Sequence, residues 1–210
     1  MSALRKLAIR TLLKFDDYLR MTVNTLTISE NGGLHPKHRL TEYCKFFTGN
    51  IVPDDRVLDI GCGNGYVASR IAECAKSVTA IDIVKKNINC AKEKFAKDNM
   101  QFITGDATTY PFKEHYDAIV LSNVLEHIKD RHNFLIKIKN LAPKLLIRVP
   151  MIDREWLVLY KKEIGLPYMS DRTHYTEYTM ASFDKEMKAA GLSIQSYSVQ
   201  FGEIWAVVAA

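Results

Sequence analysis

Apolar and polar positions alternate along this chain in two rhythms. Short, nearly unbroken apolar runs of four to six residues recur at 57–60, 77–82, 101–104, 117–121 and 144–149. Runs of that length, rich in Val, Ile and Leu, read as strands covered on both faces. Between them, 65–75, 84–97 and 130–140 mix polar residues with apolar ones at helical spacing. Strands alternating with helices predict a mostly parallel sheet with helices on both faces. Pro150 ends the fifth strand, and a helix at 182–190 is closed by Gly191. Two last strands, 192–199 and 203–209, flank Gly202 as an antiparallel hairpin, bringing the count to seven.

The two remaining stretches carry a different pattern. In residues 1–29, Leu4, Ala8, Leu12, Phe15 and Leu19 recur at three- and four-residue spacing, which predicts an amphipathic helix followed by an extended Thr-rich stretch. Asn31-Gly32-Gly33 forms a flexible joint, and Pro36 starts a helix running through Arg39, Tyr43 and Phe47 to Gly49-Asn50. Residues 1–50 are therefore expected to form a helical lid or cap on a domain spanning 51–210. Residues 151–180 have weak periodicity and many functional side chains, as a substrate-covering insertion would.

Composition narrows the class. A chain of 210 residues with 47% hydrophobic and 25% charged residues suits one α/β domain with a sizeable core. No apolar run approaches the ~20 residues of a membrane span. Arg5, Lys6 and Arg10 break up any signal-peptide core. Cys44, Cys62, Cys74 and Cys90 form no CxxC pair and read as reduced thiols, so a cytoplasmic protein is expected. The net charge of +5 is spread without a basic block, which gives no support to a nucleic-acid partner. Residues 1–28 carry five bases against two acids, so peripheral membrane contact through 1–29 stands beside the lid as a reading.

The chemistry concentrates where strands end. The first strand runs into Gly61-Cys62-Gly63-Asn64-Gly65, a turn that lets a ligand approach the backbone. The second ends in Asp82, 19 positions past Gly63, close to the spacing at which a dinucleotide fold places a carboxylate on ribose hydroxyls. The third ends in Gly105-Asp106-Ala107 and the fourth in Ser122-Asn123, followed by Glu126-His127. A nicotinamide fingerprint needs a third glycine three positions after the second; here Gly65 follows Gly63 by two. Asp59 beside the turn would also repel a pyrophosphate, yet suits an ammonium.

Together the LDIGCGNG, GDA and SNVLEH stretches resemble the class I S-adenosylmethionine-dependent methyltransferases, the small-molecule, type 11-like group. The resemblance implies a Rossmann-like α/β fold and S-adenosyl-L-methionine as cofactor. It implies that Asp59, Gly61, Cys62 and Gly63 line the methionine portion, and that Asp82 holds the ribose, with Ile83 on the adenine face. Asp106 and Ala107 would meet the adenine edge, and Ser122 and Asn123 the methionyl part.

A sulfonium methyl group is already activated, so transfer to a hydroxyl calls mainly for positioning and a base. His174 is the first candidate base, in the segment after the fifth strand. His127 and His38 follow. Ubiquinone-biosynthesis O-methyltransferases and small-RNA 2′-O-methyltransferases carry Glu-x-x-Glu-His, plus a later histidine, as divalent metal ligands. Asn123 stands where the first Glu would be, so no metal is expected, with the question open for Glu126, His127 and His174. The expected function is O-methylation of a small acceptor: a sugar, a lipid-linked molecule or a quinone-like ring. Methylation at nitrogen on a small molecule or macromolecule, or a non-catalytic cofactor-binding subunit, are the alternatives. The oligomeric state is not legible.

Overall fold

The computed structural model describes residues 3–210, which form two compact units. The larger, Cys44–Glu155 with Met169–Ala210, contains the whole sheet. The smaller comprises the chain up to Tyr43 together with Trp156–Tyr168. The units divide the chain at 43/44, and within 151–180 the stretch Trp156–Tyr168 belongs to the smaller unit while both flanks stay with the sheet.

The seven strands are β1 (Arg56–Ile60), β2 (Ser77–Asp82), β3 (Met100–Thr104), β4 (Ala118–Ser122), β5 (Lys144–Pro150), β6 (Ser193–Gln200) and β7 (Glu203–Ala209). Their order is β3-β2-β1-β4-β5-β7-β6. The first five are parallel; β7 runs antiparallel to β5, and β6 antiparallel to β7. This is the Rossmann-like sheet expected, with helices around it. β1, β4 and β5 are buried over nearly their full length, as central strands covered on both faces must be. β6, at an edge, leaves most of its residues exposed. Register sets Asp59 between Ala80 of β2 and Val120 of β4, in the middle of the sheet.

In chain order the helices are α1 (Ala3–Glu30), α2 (Lys37–Leu40), α3 (Cys44–Thr48), α4 (Tyr66–Ile71), α5 (Lys85–Phe95), α6 (Arg131–Lys139), α7 (Trp156–Glu163) and α8 (Met180–Ala189). Two differ from expectation in kind. The Thr-rich stretch is helical to Glu30, because Thr22, Thr25 and Thr27 turn their hydroxyls onto the carbonyls of Tyr18, Met21 and Asn24. The helix expected from Pro36 to Gly49 is broken in two. Glu42 adopts φ +47°, which interrupts the ladder between α2 and α3.

Within the smaller unit, Asp17 of α1 is ion-paired with Lys161 of α7, and Arg10 donates to the Ile164 carbonyl at 2.6 Å. Leu13, Val158 and Leu166 are buried. The Gly32-Gly33 joint is the turn that ends α1: the Gly33 amide donates to Ile28 O, and both glycines take positive φ. Residues 1 and 2, part of the expected lid, lie outside the described residues.

Candidate functional site

Strand order reverses between β1 and β4, and open α/β sheets bind ligands beyond the carboxyl ends of strands at such a switch. A cavity of about 1070 Å³ opens there. Its wall includes Gly61 after β1, Asp82 and Ile83 after β2, Asp106 and Ala107 after β3, and Asn123 and His127 after β4.

The three glycines of the turn have three different jobs. All take positive φ. A Cβ at Gly61 would sit 2.6 Å from Val124, and one at Gly65 2.7 Å from the Cβ of Ala91, so both serve close packing, Gly65 between α4 and α5. A Cβ at Gly63 would meet nothing within 4 Å. Gly63 alone therefore borders open space that a ligand could use. Its amide donates to Asp82 Oδ2 at 2.9 Å, while Asp82 Oδ1 accepts from the Val84 amide at 2.8 Å and from Asn87 at 3.2 Å. Asp82 thus ties the glycine turn to the start of α5 and keeps only part of its acceptor capacity for a ligand.

Asp59 lies 1% exposed in β1, and its Oδ2 has no hydrogen-bond partner. Burial, with the charge of Asp82 nearby, pushes its pKa up to about 8. Cys62 is buried next door; burial first, then Asp59 and Asp82, raise its thiol pKa well above the usual range. After β3, Asp106 Oδ1 accepts from the amide and hydroxyl of Thr108. Lys137 of α6 donates to the carbonyls of Ala107, Thr108 and Tyr110, fixing this loop from outside.

At the end of β4, Asn123 adopts φ +57°, a conformation asparagine tolerates better than most residues. Its amide donates to Arg148 O at 2.8 Å, and its buried Oδ1 has no partner. Ser122 takes a 3.4 Å contact from Arg148, which grips Glu203 through two hydrogen bonds of 2.6 and 2.8 Å. Ser122 supports the wall and does not form it.

A 3₁₀ turn, Leu125–His127, follows. The Tyr175 amide donates to Glu126 O at 2.8 Å, which draws the returning segment against this turn and sets His174 edge-on to His127, ring centroids 4.5 Å apart. The hydrogen bonds fix both imidazole tautomers. Thr173 donates its hydroxyl to Asp171 at 2.6 Å, so its oxygen accepts from Nδ1–H of His127 at 2.9 Å. Nδ1–H of His174 donates to Glu177 at 3.1 Å. Both Nε2 atoms are left with lone pairs. Burial raises the Glu177 pKa, but bonds from His174, Ser170 and Arg154 outweigh it and hold the carboxyl at about 2. Glu126 is fully buried, and neither of its oxygens has a hydrogen-bond partner. Burial raises it to about 7. One side-chain oxygen or nitrogen from each of Glu126, His127 and His174 lies within 4.8 Å of the others. Three potential ligand or proton-accepting groups thus meet here, an arrangement suited to a proton or a cation.

Of the expected site residues, Gly61, Asp82, Ile83, Asp106, Ala107, Asn123 and His127 line the cavity. Asp59, Cys62, Gly63 and Ser122 stand next to lining residues without being on the wall. His174 stands beside His127 with its side chain 5% exposed and is not on the wall. His38 belongs to the smaller unit, packs on Tyr43 at 4.8 Å and is not on the wall. Asn87, Lys137, Thr173 and Glu177 escaped the sequence reading, because nothing in their spacing shows which loop a side chain will reach. Only Glu177, three residues after His174, left a local trace.

The fold and its glycine-and-acid cleft define the nucleotide-binding α/β proteins whose sheet ends in an antiparallel hairpin. The chain belongs to the methyltransferase domain family, whose model matches residues 34–197. A ubiquinone biosynthesis O-methyltransferase of Rickettsia bellii is 26% identical over 146 residues, 66% of this chain and 61% of that protein. The Caulobacter sp. protein of the same name is 32% identical over 119 residues, 54% of this chain and 47% of that one. The chain thus spans about half to three fifths of the length of these curated relatives. The magnesium protoporphyrin IX methyltransferase from Synechocystis PCC 6803, solved with bound SAH, shares the fold. Its TM-score is 0.63 at 22% identity, and the match covers 83% of each chain.

Proposed function

We propose that this protein transfers the methyl group of S-adenosylmethionine to a hydroxyl of a small molecule, with a phenolic, quinone-like ring as the leading acceptor. The cluster of His127, on the cavity wall, with His174 and Glu126 beside it carries this reading, because a hydroxyl must lose a proton and an amine need only be neutral. The names of the two bacterial relatives support the acceptor class.

The residues present fit the donor. Asp59, with its unpartnered oxygen, would take the methionyl ammonium. The open space at Gly63 would take the adjoining part of the molecule. Asp82 would offer its remaining acceptor capacity to the ribose, and Ile83, 66% exposed on the wall, would lie along the adenine. Asp106 and Ala107 would meet the adenine edge, and Asn123, with its unpartnered Oδ1, the methionyl end. When bound, S-adenosylmethionine supplies an electrophilic methyl group, and the protein's part is alignment, exclusion of water and removal of one proton. His127 Nε2 would accept the acceptor's hydroxyl proton as the oxygen bonds the methyl carbon and the sulfur–carbon bond breaks. Thr173, accepting from Nδ1–H, and the nearby Asp171 carboxylate would hold the resulting imidazolium.

Release of S-adenosylhomocysteine with a panel of phenols and catechols tests the reading. The wild-type chain should release it. His127→Gln should lower turnover by roughly 10²–10⁴ with donor affinity unchanged. Burial and then His174 lower the pKa of His127 below 6.5, so the rate should fall on the acid side of neutrality. Donor binding without turnover on any acceptor would favour a non-catalytic binding subunit, and turnover on amines alone would favour N-methylation.

The same three groups favour a second reading. Glu126, His127 and His174 would hold a divalent cation, oriented by Glu177 and Thr173, and the cation would acidify the acceptor hydroxyl. Asn123 in place of a carboxylate leaves one negative ligand in the set. Calorimetric titration with Mg²⁺, Mn²⁺ and Zn²⁺, and turnover after EDTA treatment, separate the readings: full turnover in EDTA leaves His127 as the base.

A further inference from the structure

Helix α1 is attached by its charged side and bares its apolar side, the reverse of an ordinary surface helix. Asp17 and Arg10 tie it to α7 and to the Ile164 carbonyl within the smaller unit, and Leu13 is buried on that face. Away from it, Leu4, Leu7, Leu12, Phe15, Leu19 and Leu26 are between 45% and 76% exposed. At about 100° per residue, the sector from Leu7 round to Leu12 spans about 140°. None of the seven charges in residues 3–29 falls in it. Lys14 and Arg5 border it on either side. No helix of the described residues is long and apolar enough to cross a membrane, so this stripe suits lying on a surface and not spanning one.

Charge selects the occupant. Residues 3–14 carry Arg5, Lys6, Arg10 and Lys14 and no acid. A second copy packed antiparallel would set this basic half against residues 19–30, whose charges are Arg20 and Glu30, and a parallel copy would set base against base. Neither presents a net negative face to the basic half. A surface of anionic lipid headgroups does, while the leucines and Phe15 enter the acyl boundary. Trp156 on α7 is 72% exposed in the same unit, and tryptophan favours that interface. We infer that α1 is an interfacial helix that seats the protein on the surface of an anionic membrane. This inference does not depend on the methyl-transfer reading.

Co-sedimentation of the full chain with phosphatidylcholine vesicles, with and without phosphatidylglycerol, tests it. Binding should require phosphatidylglycerol and weaken as salt rises. The double variant Phe15→Glu/Leu19→Gln, at exposed positions, should bind at least tenfold more weakly with an unchanged circular dichroism spectrum. Lys14→Gln, at the border of the stripe, should cost about fivefold. Four outcomes overturn the inference. One is no binding to either vesicle; another is wild-type binding by the double variant. A third is a concentration-dependent dimer lost in the double variant without lipid binding, which would make a second copy the occupant. The fourth is lost acceptor turnover without any lipid effect, which would make α1 a lid.

Discussion

Asp59 holds the most consequential single atom of the cleft, a buried carboxylate oxygen with no partner in a sheet that offers it none. With its pKa near 8 it keeps a proton at neutral pH in the free protein, and it must lose that proton to face an ammonium. Donor binding at pH 7 should therefore release a proton, and affinity should rise with pH until about 8. Calorimetry in buffers of different ionisation enthalpy reads both. Asp59→Asn removes the buried acid and the ion pair together. The free variant should unfold at a higher temperature and bind donor at least tenfold more weakly, since a charge-assisted hydrogen bond contributes about 1.5–3 kcal/mol. A variant that binds donor as the wild type does would end the ammonium assignment.

At the scale of elements, the turn between β1 and α4 separates glycines packed against neighbours from one with open space beside it. Gly65→Ala puts a methyl against Ala91 in a left-handed backbone and should destabilise by about 1–3 kcal/mol, seen as a lower Tm. Gly63→Val meets open space. It should cost about 1–2 kcal/mol of stability for its backbone conformation, yet weaken donor binding much more. Equal binding losses in the two variants would mean the turn acts as one rigid piece. The glycine pattern was readable in sequence; which glycine has room for a side chain was not, because that depends on Val124 and Ala91, residues far along the chain. The same limit hid the helical end of α1. Threonine spacing reads as extended until the hydroxyls are seen on the preceding carbonyls.

Across the whole molecule, two buried acids set the response of stability to pH. Asp59 rises from 3.8 to about 8 and Glu126 from 4.5 to about 7. Each binds a proton in the folded chain where the unfolded chain has released it, so stability falls as pH climbs from the unfolded value through the folded one. His127, lowered, acts in the opposite sense below its reference value of 6.5. The Tm of the free protein should therefore decline most clearly above pH 6.5, with a shallower decline in Asp59→Asn. Saturating donor should flatten the Asp59 part, because the ammonium favours the ionised form. Thermal scans across pH, with and without donor, check both statements; a Tm that rises from pH 6.5 to 8 would contradict them.

The sequence by itself determined the sheet and which acids stand at the ends of its strands. Continuous apolar runs must be buried, glycines must allow the turn, and acids that end parallel strands must meet at the same edge. Asp82, Asp106 and Asn123, at the ends of β2, β3 and β4, follow from that geometry; what each would bind is what the resemblance implies. Only the tertiary structure decided the acceptor side. His127 and His174 are 47 residues apart in a chain whose intervening segment leaves the sheet unit and returns. No periodicity encodes where a loop comes back. The Tyr175 amide on the Glu126 carbonyl, a single backbone hydrogen bond between distant segments, fixes the meeting. Which histidine faces the cavity depends on Thr173 and Glu177 binding the far side of each ring.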